Sequence, residues 1–322
     1  MKYCINIIHP YESKFDSFLN WNYLSVSEFE VFENSILNKN WDLVIFYNSP
    51  TKIISKKVKK GNLIFISGEP SSVVKFPKKF LSQFDVCYTS HDYKISNHIN
   101  SHPHIIPFFG INFSNPNLNL SIDKIKSYNK SKPISVILSN KQDLPDQRQR
   151  VKLVKILKRH FKNKIDVYGR GFQEIADKQY GLNDYYFTIC IENTKEINYW
   201  TEKISDAFIA ECIPIYYGAP NINHFFQNGV FEIDIYNINQ TIDIIESLIR
   251  DAELIYNNNI NFIKKNKELV LKKYSIFELI KSRITNSKDS LFEKKIIFPP
   301  SKSFKQFKLR LKNKLGKCLK KR

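Results

Sequence analysis

Residues 185–221 bring together groups able to do chemistry on a phosphorylated substrate. The run from Tyr185 through Phe187 to Ile191 is apolar but for Thr188, and it ends in Glu192-Asn193-Thr194. Tyr199-Trp200-Thr201-Glu202-Lys203 follows, and then Ile213-Pro214-Ile215-Tyr216-Tyr217-Gly218-Ala219-Pro220-Asn221. A buried strand delivers Glu192 and Asn193 at its C-terminal end. Thr201 is a natural N-cap for a helix whose first turn holds Glu202 and Lys203. Such a helix start offers free N–H groups and partial positive charge, which suit a diphosphate. Lys203 adds a full charge at the same place. The turn at Gly218 lets backbone approach a ligand closely. Each piece alone also fits an ordinary strand–helix–strand unit with solvated charges. It is the convergence of carboxylate, amide, tyrosine and lysine between two buried strands that points to a site.

The elements that must position these groups are legible as short apolar runs. Tyr3–Ile8, Leu43–Tyr47, Leu63–Ile66, Val86–Thr89 and Ile105–Phe109 read as buried strands separated by helix-length segments, the pattern of a parallel α/β sheet. Asn112–Ser131, rich in Asn, Ser and Lys, reads as a linker. A second series follows, with strands at Ile134–Leu138, Ile165–Tyr168, Tyr186–Ile191 and Ile213–Tyr217. Helices are expected at Gln147–Phe161, Thr201–Ala210, Ile242–Ile249 and Leu254–Lys267 from their apolar periodicity. Two α/β halves imply two Rossmann-like domains facing a central cleft, with ligands at strand C-terminal ends. The expected division is 1–115, 116–300 and a tail at 301–322.

A length of 322 residues supports two domains, and 42% hydrophobic residues exclude a disordered chain. The net charge of +19 would attract polyanions. However, about half of it lies between Lys302 and Arg322, where ten basic residues meet no acid. There Phe304, Phe307, Leu311, Leu315 and Cys318 form one helical stripe with basic residues around it, the pattern of a helix that binds an anionic membrane surface. The five cysteines are scattered without metal-ligand spacing, and read as free thiols in a reducing compartment. No run is apolar and long enough to span a bilayer. The reading is therefore a cytoplasmic protein, peripheral on the cytosolic membrane face. His91, His102 and His104 show no metal-site spacing and read as surface-loop residues. No P-loop and no Asp-x-Asp motif occur, and the pair Gly169-Arg170-Gly171 indicates little by itself.

The run Ile191-Glu192-Asn193-Thr194, then Tyr199-Trp200-Thr201-Glu202-Lys203, then Ile213-Pro214 to Gly218-Ala219-Pro220 resembles the signature of the α-1,3/4-fucosyltransferases, glycosyltransferase family 10. Ile191 stands where the family usually has Phe, and Trp200 where it has a small aliphatic residue. The resemblance implies a GT-B-like fold with an N-terminal acceptor domain and a C-terminal domain for the GDP-sugar. Asn193, Tyr199, Glu202 and Lys203 then belong to the GDP-fucose site, with Lys203 neutralising the diphosphate and Glu202 facing the fucosyl ring. Glu192, Thr201 and Gly218 support them. Leu138-Ser139-Asn140 followed by Arg150 is similar to the family's Ser-Asn motif and its arginine, a residue suited to a departing diphosphate; Arg148 competes for that register. Asp166-Val167-Tyr168-Gly169 matches a family strand and turn. Ile64-Phe65-Ile66-Ser67-Gly68-Glu69-Pro70 resembles the segment carrying the family's proposed general base, here Glu69, and a carboxylate is the right group to accept a hydroxyl proton. Glu192 is the rival base.

The resemblance thus implies inverting transfer of L-fucose from GDP-β-L-fucose to a glycan hydroxyl, in lipopolysaccharide or surface-glycan synthesis. No cofactor is required, and a divalent ion would at most stimulate. A transferase of the same fold using another GDP-deoxysugar is the nearest alternative. A non-enzymatic RNA- or polyanion-binding protein is the second, disfavoured because the charge sits in a tail and no RNA-binding signature occurs, so no nucleic acid partner is expected.

Overall fold

The computed structural model describes residues 2–10, 28–112, 115, 125–126, 129–287 and 290–300. The chain divides into two compact units. Among the described residues, the first holds 2–10, 28–104 and 279–300, and the second holds 105–278.

In the first unit the strands are β1 (Tyr3–Ile8), β2 (Phe29–Glu33), β3 (Asn40–Trp41), β4 (Leu43–Tyr47), β5 (Ile54–Lys59), β6 (Leu63–Ile66), β7 (Val86–Thr89) and β8 (His98–Asn100), with a short helix α1 (Lys78–Leu81) before β7. The order β2-β1-β4-β6-β7-β8 makes one six-stranded sheet, parallel throughout. Nearly every residue of β4 and all of β6 are buried, which explains their continuous apolar runs. Phe65 packs edge-on against Phe76 and Phe80, with ring centroids 4.8 and 5.5 Å away.

The second unit contains β9 (Lys132–Ile137), α2 (Pro145–Phe161), β10 (Ile165–Tyr168), β11 (Tyr185–Ile191), α3 (Glu202–Ile209), β12 (Ile213–Tyr217), β13 (Phe231–Glu232), α4 (Ile238–Arg250) and α5 (Ala252–Leu269). Its sheet runs β10-β9-β11-β12-β13, again all parallel. The strand order reverses direction between β9 and β11, so the carboxyl ends of those two strands flank a topological switch point, where ligands of such sheets bind. Trp200 is fully buried and meets Phe225, Phe226 and Tyr274 edge-on at 5.1–5.5 Å. Its place in the signature is thus a packing role.

Several expectations from sequence need correction. Ile105–Phe109 is not a strand: Ile105 makes one isolated bridge to Ser275. The N–H groups of Phe108 and Phe109 instead donate to the Asp206 carboxylate (2.8 and 3.0 Å), so no neighbouring strand can use them. Residues 279–300 do not stay with the second unit. After α6 (Ile276–Asn286), the strand β14 (Phe292–Ile297) pairs antiparallel with β5, and Arg283 donates to the Gly61 carbonyl. The lysines that interrupt β5 (Lys56, Lys57 and Lys59) and β14 (Lys294 and Lys295) hide both strands from an apolar-run reading. Most of 112–131 and all of the tail 301–322 lie outside the described residues.

The histidines are not surface residues. His91 and His102 are buried. His104 packs edge-on against Tyr88 (4.7 Å), and its Nδ1 is buried with no hydrogen-bond partner among the described residues. Burial pushes its pKa from the ordinary 6.5 down to about 4. The unfolded chain therefore binds this proton at a higher pH than the folded one, and stability should fall as pH drops from about 6.5 to about 4. His104→Asn, which tolerates the residue's φ of 45°, should flatten that part of the pH dependence of thermal unfolding; an unchanged slope would contradict a buried neutral imidazole.

Candidate active site

The site is assembled at the switch point of the second sheet. β11 ends in Glu192, whose side chain is wholly buried. The Thr201 N–H donates to Glu192 Oε1 (2.8 Å), and Thr201 Oγ1 lies 3.0 and 2.9 Å from the two carboxylate oxygens. Lys203 Nζ donates to Glu192 Oε2 (2.9 Å) and to Thr201 Oγ1 (3.0 Å). Thr201 is also the N-cap of α3, accepting from the Lys203 N–H at 3.5 Å. One carboxylate thus fastens the end of β11 to the start of α3, which answers why Glu, Thr and Lys occur at these spacings. Gly218, next to it, has no room for a side chain: a Cβ there would come within 2.6 Å of Glu192 Cγ.

Arg150 comes from α2. It is buried, whereas Arg148 is exposed and caps the carbonyls of Gln142 and Asp143. Arg150 donates to Asn193 Oδ1 (3.0 Å) and lies 3.4 Å from both Ser139 O and Ser139 Oγ, at the carboxyl end of β9. Its Nε is buried with no hydrogen-bond partner among the described residues. Burial holds the guanidinium below its ordinary pKa, with Glu192, Tyr199 and Glu202 pulling the other way. An unpaired buried donor on a cation is costly unless something anionic arrives.

Tyr199 is buried beside this group, while Asn140 is exposed and is held through its backbone to Arg170 O (3.0 Å). The glycine pair has a steric cause. Gly169 (φ +110°) would bring a Cβ to 2.2 Å from Leu138 O, and Gly171 (φ +83°) to 2.1 Å from the Asn140 amide. Glycine at both lets the turn after β10 close against the end of β9.

Sequence reasoning missed Lys178, Asp206 and Gln147. Lys178 Nζ bonds Asp206 Oδ2 (2.6 Å) and lies 3.9 Å from Glu202 Oε1, which is 4.0 Å from Lys203 Nζ. Glu202 therefore sits between two ammoniums. Burial would raise its pKa, but Lys203 and Lys178 outweigh this and hold it below the usual carboxylate value. Burial likewise opposes the charge on Lys203, and Glu192 and Glu202 overcome it, raising its pKa. Gln147 Nε2 reaches Asn193 Oδ1 at 3.4 Å, while its Oε1 accepts from Leu144 N at the start of α2. Only Asp206, on the buried face of α3, lay in the segment already suspected. Lys178 opens a single 3-10 turn, Lys178–Gly181, too short to leave a periodic signal.

Glu69 belongs to the first unit, at the carboxyl end of β6. Its backbone is firmly held: His91 Nε2 lies 2.8 Å from Glu69 O, and Ser67 Oγ donates to the same carbonyl (2.9 Å). The Gly68 N–H donates to Asn48 Oδ1 (3.0 Å). Among the described residues, no cluster of His, Cys, Asp and Glu is arranged to hold a metal ion.

Residues 127–269 match the model of glycosyltransferase family 10 (fucosyltransferase), C-terminal part. An alpha-(1,3)-fucosyltransferase of Helicobacter pylori is 34% identical over 93 residues, which cover 27% of this chain and 20% of that protein. A fucosyltransferase-like protein of Arabidopsis thaliana is 40% identical over 65 residues, 19% of this chain and 13% of that protein. The chain thus aligns with only a small part of these relatives. A crystal structure of an α1,3-fucosyltransferase with GDP-fucose superposes with a TM-score of 0.51 at 18% identity, covering 90% of this chain and 92% of that one. A second α1,3-fucosyltransferase structure gives 0.50 at 16% identity, covering 88% and 91%. The fold is the GT-B-like one of two α/β units.

Glu192→Gln should leave the Lys203 ammonium without its full counter-charge and cost roughly 3 kcal/mol in urea denaturation. Lys203→Met added to it should cost much less than the sum of the two single changes. Strict additivity would show that the pair does not hold β11 to α3.

Proposed function

We propose that this chain, whose residues 127–269 match the model of glycosyltransferase family 10, transfers L-fucose from GDP-β-L-fucose to a hydroxyl of a glycan with inversion at the anomeric carbon. The observation that carries the reading is the cluster at the switch point of the second sheet, in which buried Arg150 and Glu192 hold the half-buried Asn193 and Lys203.

The chemistry asks for three things, and named residues can supply each. The departing GDP takes the electron pair of the anomeric C–O bond onto its β-phosphate. Arg150, with its unpaired Nε, and the first N–H groups of α3 meet that charge. Lys203 has three ammonium protons, two of which go to Glu192 and Thr201; the third is directed at the diphosphate. Glu202, held ionised between Lys178 and Lys203, faces the fucosyl ring, where a carboxylate accepts sugar hydroxyls and stabilises positive character at the reacting carbon. Glu69 removes the acceptor proton as the acceptor oxygen attacks from the face opposite GDP. One C–O bond forms as the other breaks, so a β-linked donor gives an α-linked product. Glu192 serves as the anchor of Lys203 and Thr201, since its oxygens are already taken up by them.

The acceptor is a glycan of lipopolysaccharide or another surface polysaccharide, met by an enzyme peripheral to the cytosolic membrane face. The basic apolar stripe of 302–322 supports this, as does the finding that no helix among the described residues is long and apolar enough to cross a membrane. Deleting 302–322 should abolish binding to vesicles containing anionic lipid; retained binding would remove the membrane reading.

Product formation is the direct test. Incubation with GDP-fucose and a panel of glycans should yield an α-fucoside, identified from its anomeric proton coupling. Glu69→Gln should lower kcat by about two to four orders of magnitude with donor affinity unchanged. Arg150→Met should weaken GDP binding about tenfold to a hundredfold. A fully active Glu69→Gln variant would require a different base.

A further inference from the structure

The first unit carries a cavity that none of the roles above uses. It lies at the carboxyl ends of β1 and β2 and against the segment that follows β4, with a volume of about 650 Å³, within the range of small-molecule sites. Ser35, Thr51, Lys52 and Lys56 supply its polar wall, and Ile36 and Ile53 are among its apolar lining residues. Both isoleucines are largely exposed (84% and 59%), a surface suited to the C–H face of a pyranose ring.

The charge on this wall is one-sided. No carboxylate lines the cavity. The Lys56 side chain lies over the Trp41 ring (5.5 Å) with its ammonium donating to the Ser35 carbonyl, and the residue is only 8% exposed. Burial lowers its pKa, and repulsion from Lys52 lowers it further, with no acid to offset either. A buried ammonium at Lys56 and an exposed one at Lys52, repelling each other along a concave wall, are relieved by an anion.

The edge around the cavity is rigid. Asn34, in the left-handed conformation (φ 45°), accepts the His9 N–H at 2.9 Å, and its amide lies 3.2 Å from His9 Nε2. The Asn48 side chain ties the next strand ends together at Gly68. This is the same edge of the same sheet that presents Glu69. In the order β2-β1-β4-β6, β1 and β6 are two strand spacings apart, about 10 Å, a distance that one or two sugar units bridge.

We infer that this cavity is an acceptor subsite for an acidic saccharide unit, whose carboxylate or phosphate is held by Lys52 and Lys56 while the neighbouring sugar reaches Glu69. Its role as an acceptor subsite rests on the transferase reading; its ligand chemistry does not.

A backbone-amide NMR titration of the full chain tests it, with glucuronate, glucose 6-phosphate, glucose and inorganic phosphate as probes. Glucuronate and glucose 6-phosphate should shift the amides of 51–56, and glucose should not. Lys52→Glu, a change at an exposed position that spares the core, should weaken both by tenfold or more. Equal effects of glucose and glucuronate would overturn the proposal, as would an unchanged affinity in Lys52→Glu. Inorganic phosphate binding as tightly as glucose 6-phosphate, with glucuronate silent, would show a free-anion site and reject the saccharide. Titrating GDP into the same samples separates the two readings. Silent 139–203 amides beside a responsive cavity would reject the donor site alone, whereas the reverse would reject the cavity alone.

Discussion

The Glu192 carboxylate, removed from water at the end of β11, is the constraint on which the site depends. A buried charge is tolerated only when paired and hydrogen-bonded, and Thr201 and Lys203 together supply both. Meeting that demand fixes the N-cap of α3, the direction of its first turn and the position of the Lys203 ammonium. It also forbids a side chain at Gly218. The signature residues are therefore one mechanical unit. Several of them hold the others in place, and fewer face the space where a ligand would lie.

The charges around this unit nearly cancel. Arg150, Lys178 and Lys203 stand among Glu192, Glu202 and Asp206. Such balance lets the folded chain bury the cluster without a large self-repulsion. A diphosphate bound there would therefore gain little from Lys203 as a bare charge. On the proposed reading, the gain comes from an ammonium proton beyond the two given to Glu192 and Thr201 and from the unpaired Arg150 Nε. Preorganisation of this kind replaces the reorganisation that water would otherwise have to undergo.

Much of this was legible in the sequence because parallel strands buried on both faces write themselves as continuous apolar runs. Tyr3–Ile8, Leu63–Ile66 and Ile213–Tyr217 are strands at those bounds. Glu192 and Asn193 could be placed from the end of such a run and Thr201-Glu202-Lys203 from its cap signal, while their roles came from the family resemblance. Elements interrupted by lysines, such as β5 and β14, left no such trace. Ile105–Phe109 misled because an apolar run says nothing of where its N–H groups go, and here they go to Asp206. The buried histidines misled in the opposite sense: His91 and His102 are enclosed by tertiary contacts that no local pattern announces. Lys178 reaches the site from a short 3-10 turn, and only the fold brings it to Glu202.

The central claim is that the partly buried charged cluster at the switch point of the second sheet is a site for a guanosine diphosphate sugar. Calorimetric titration of the purified chain with GDP, GDP-fucose, GDP-mannose and UDP-galactose tests it most directly. The account predicts that GDP and GDP-fucose bind, that UDP-galactose binds far more weakly or not at all, and that Lys203→Ala loses the GDP signal. Absence of GDP binding, or a preference for the uridine donor, would contradict it.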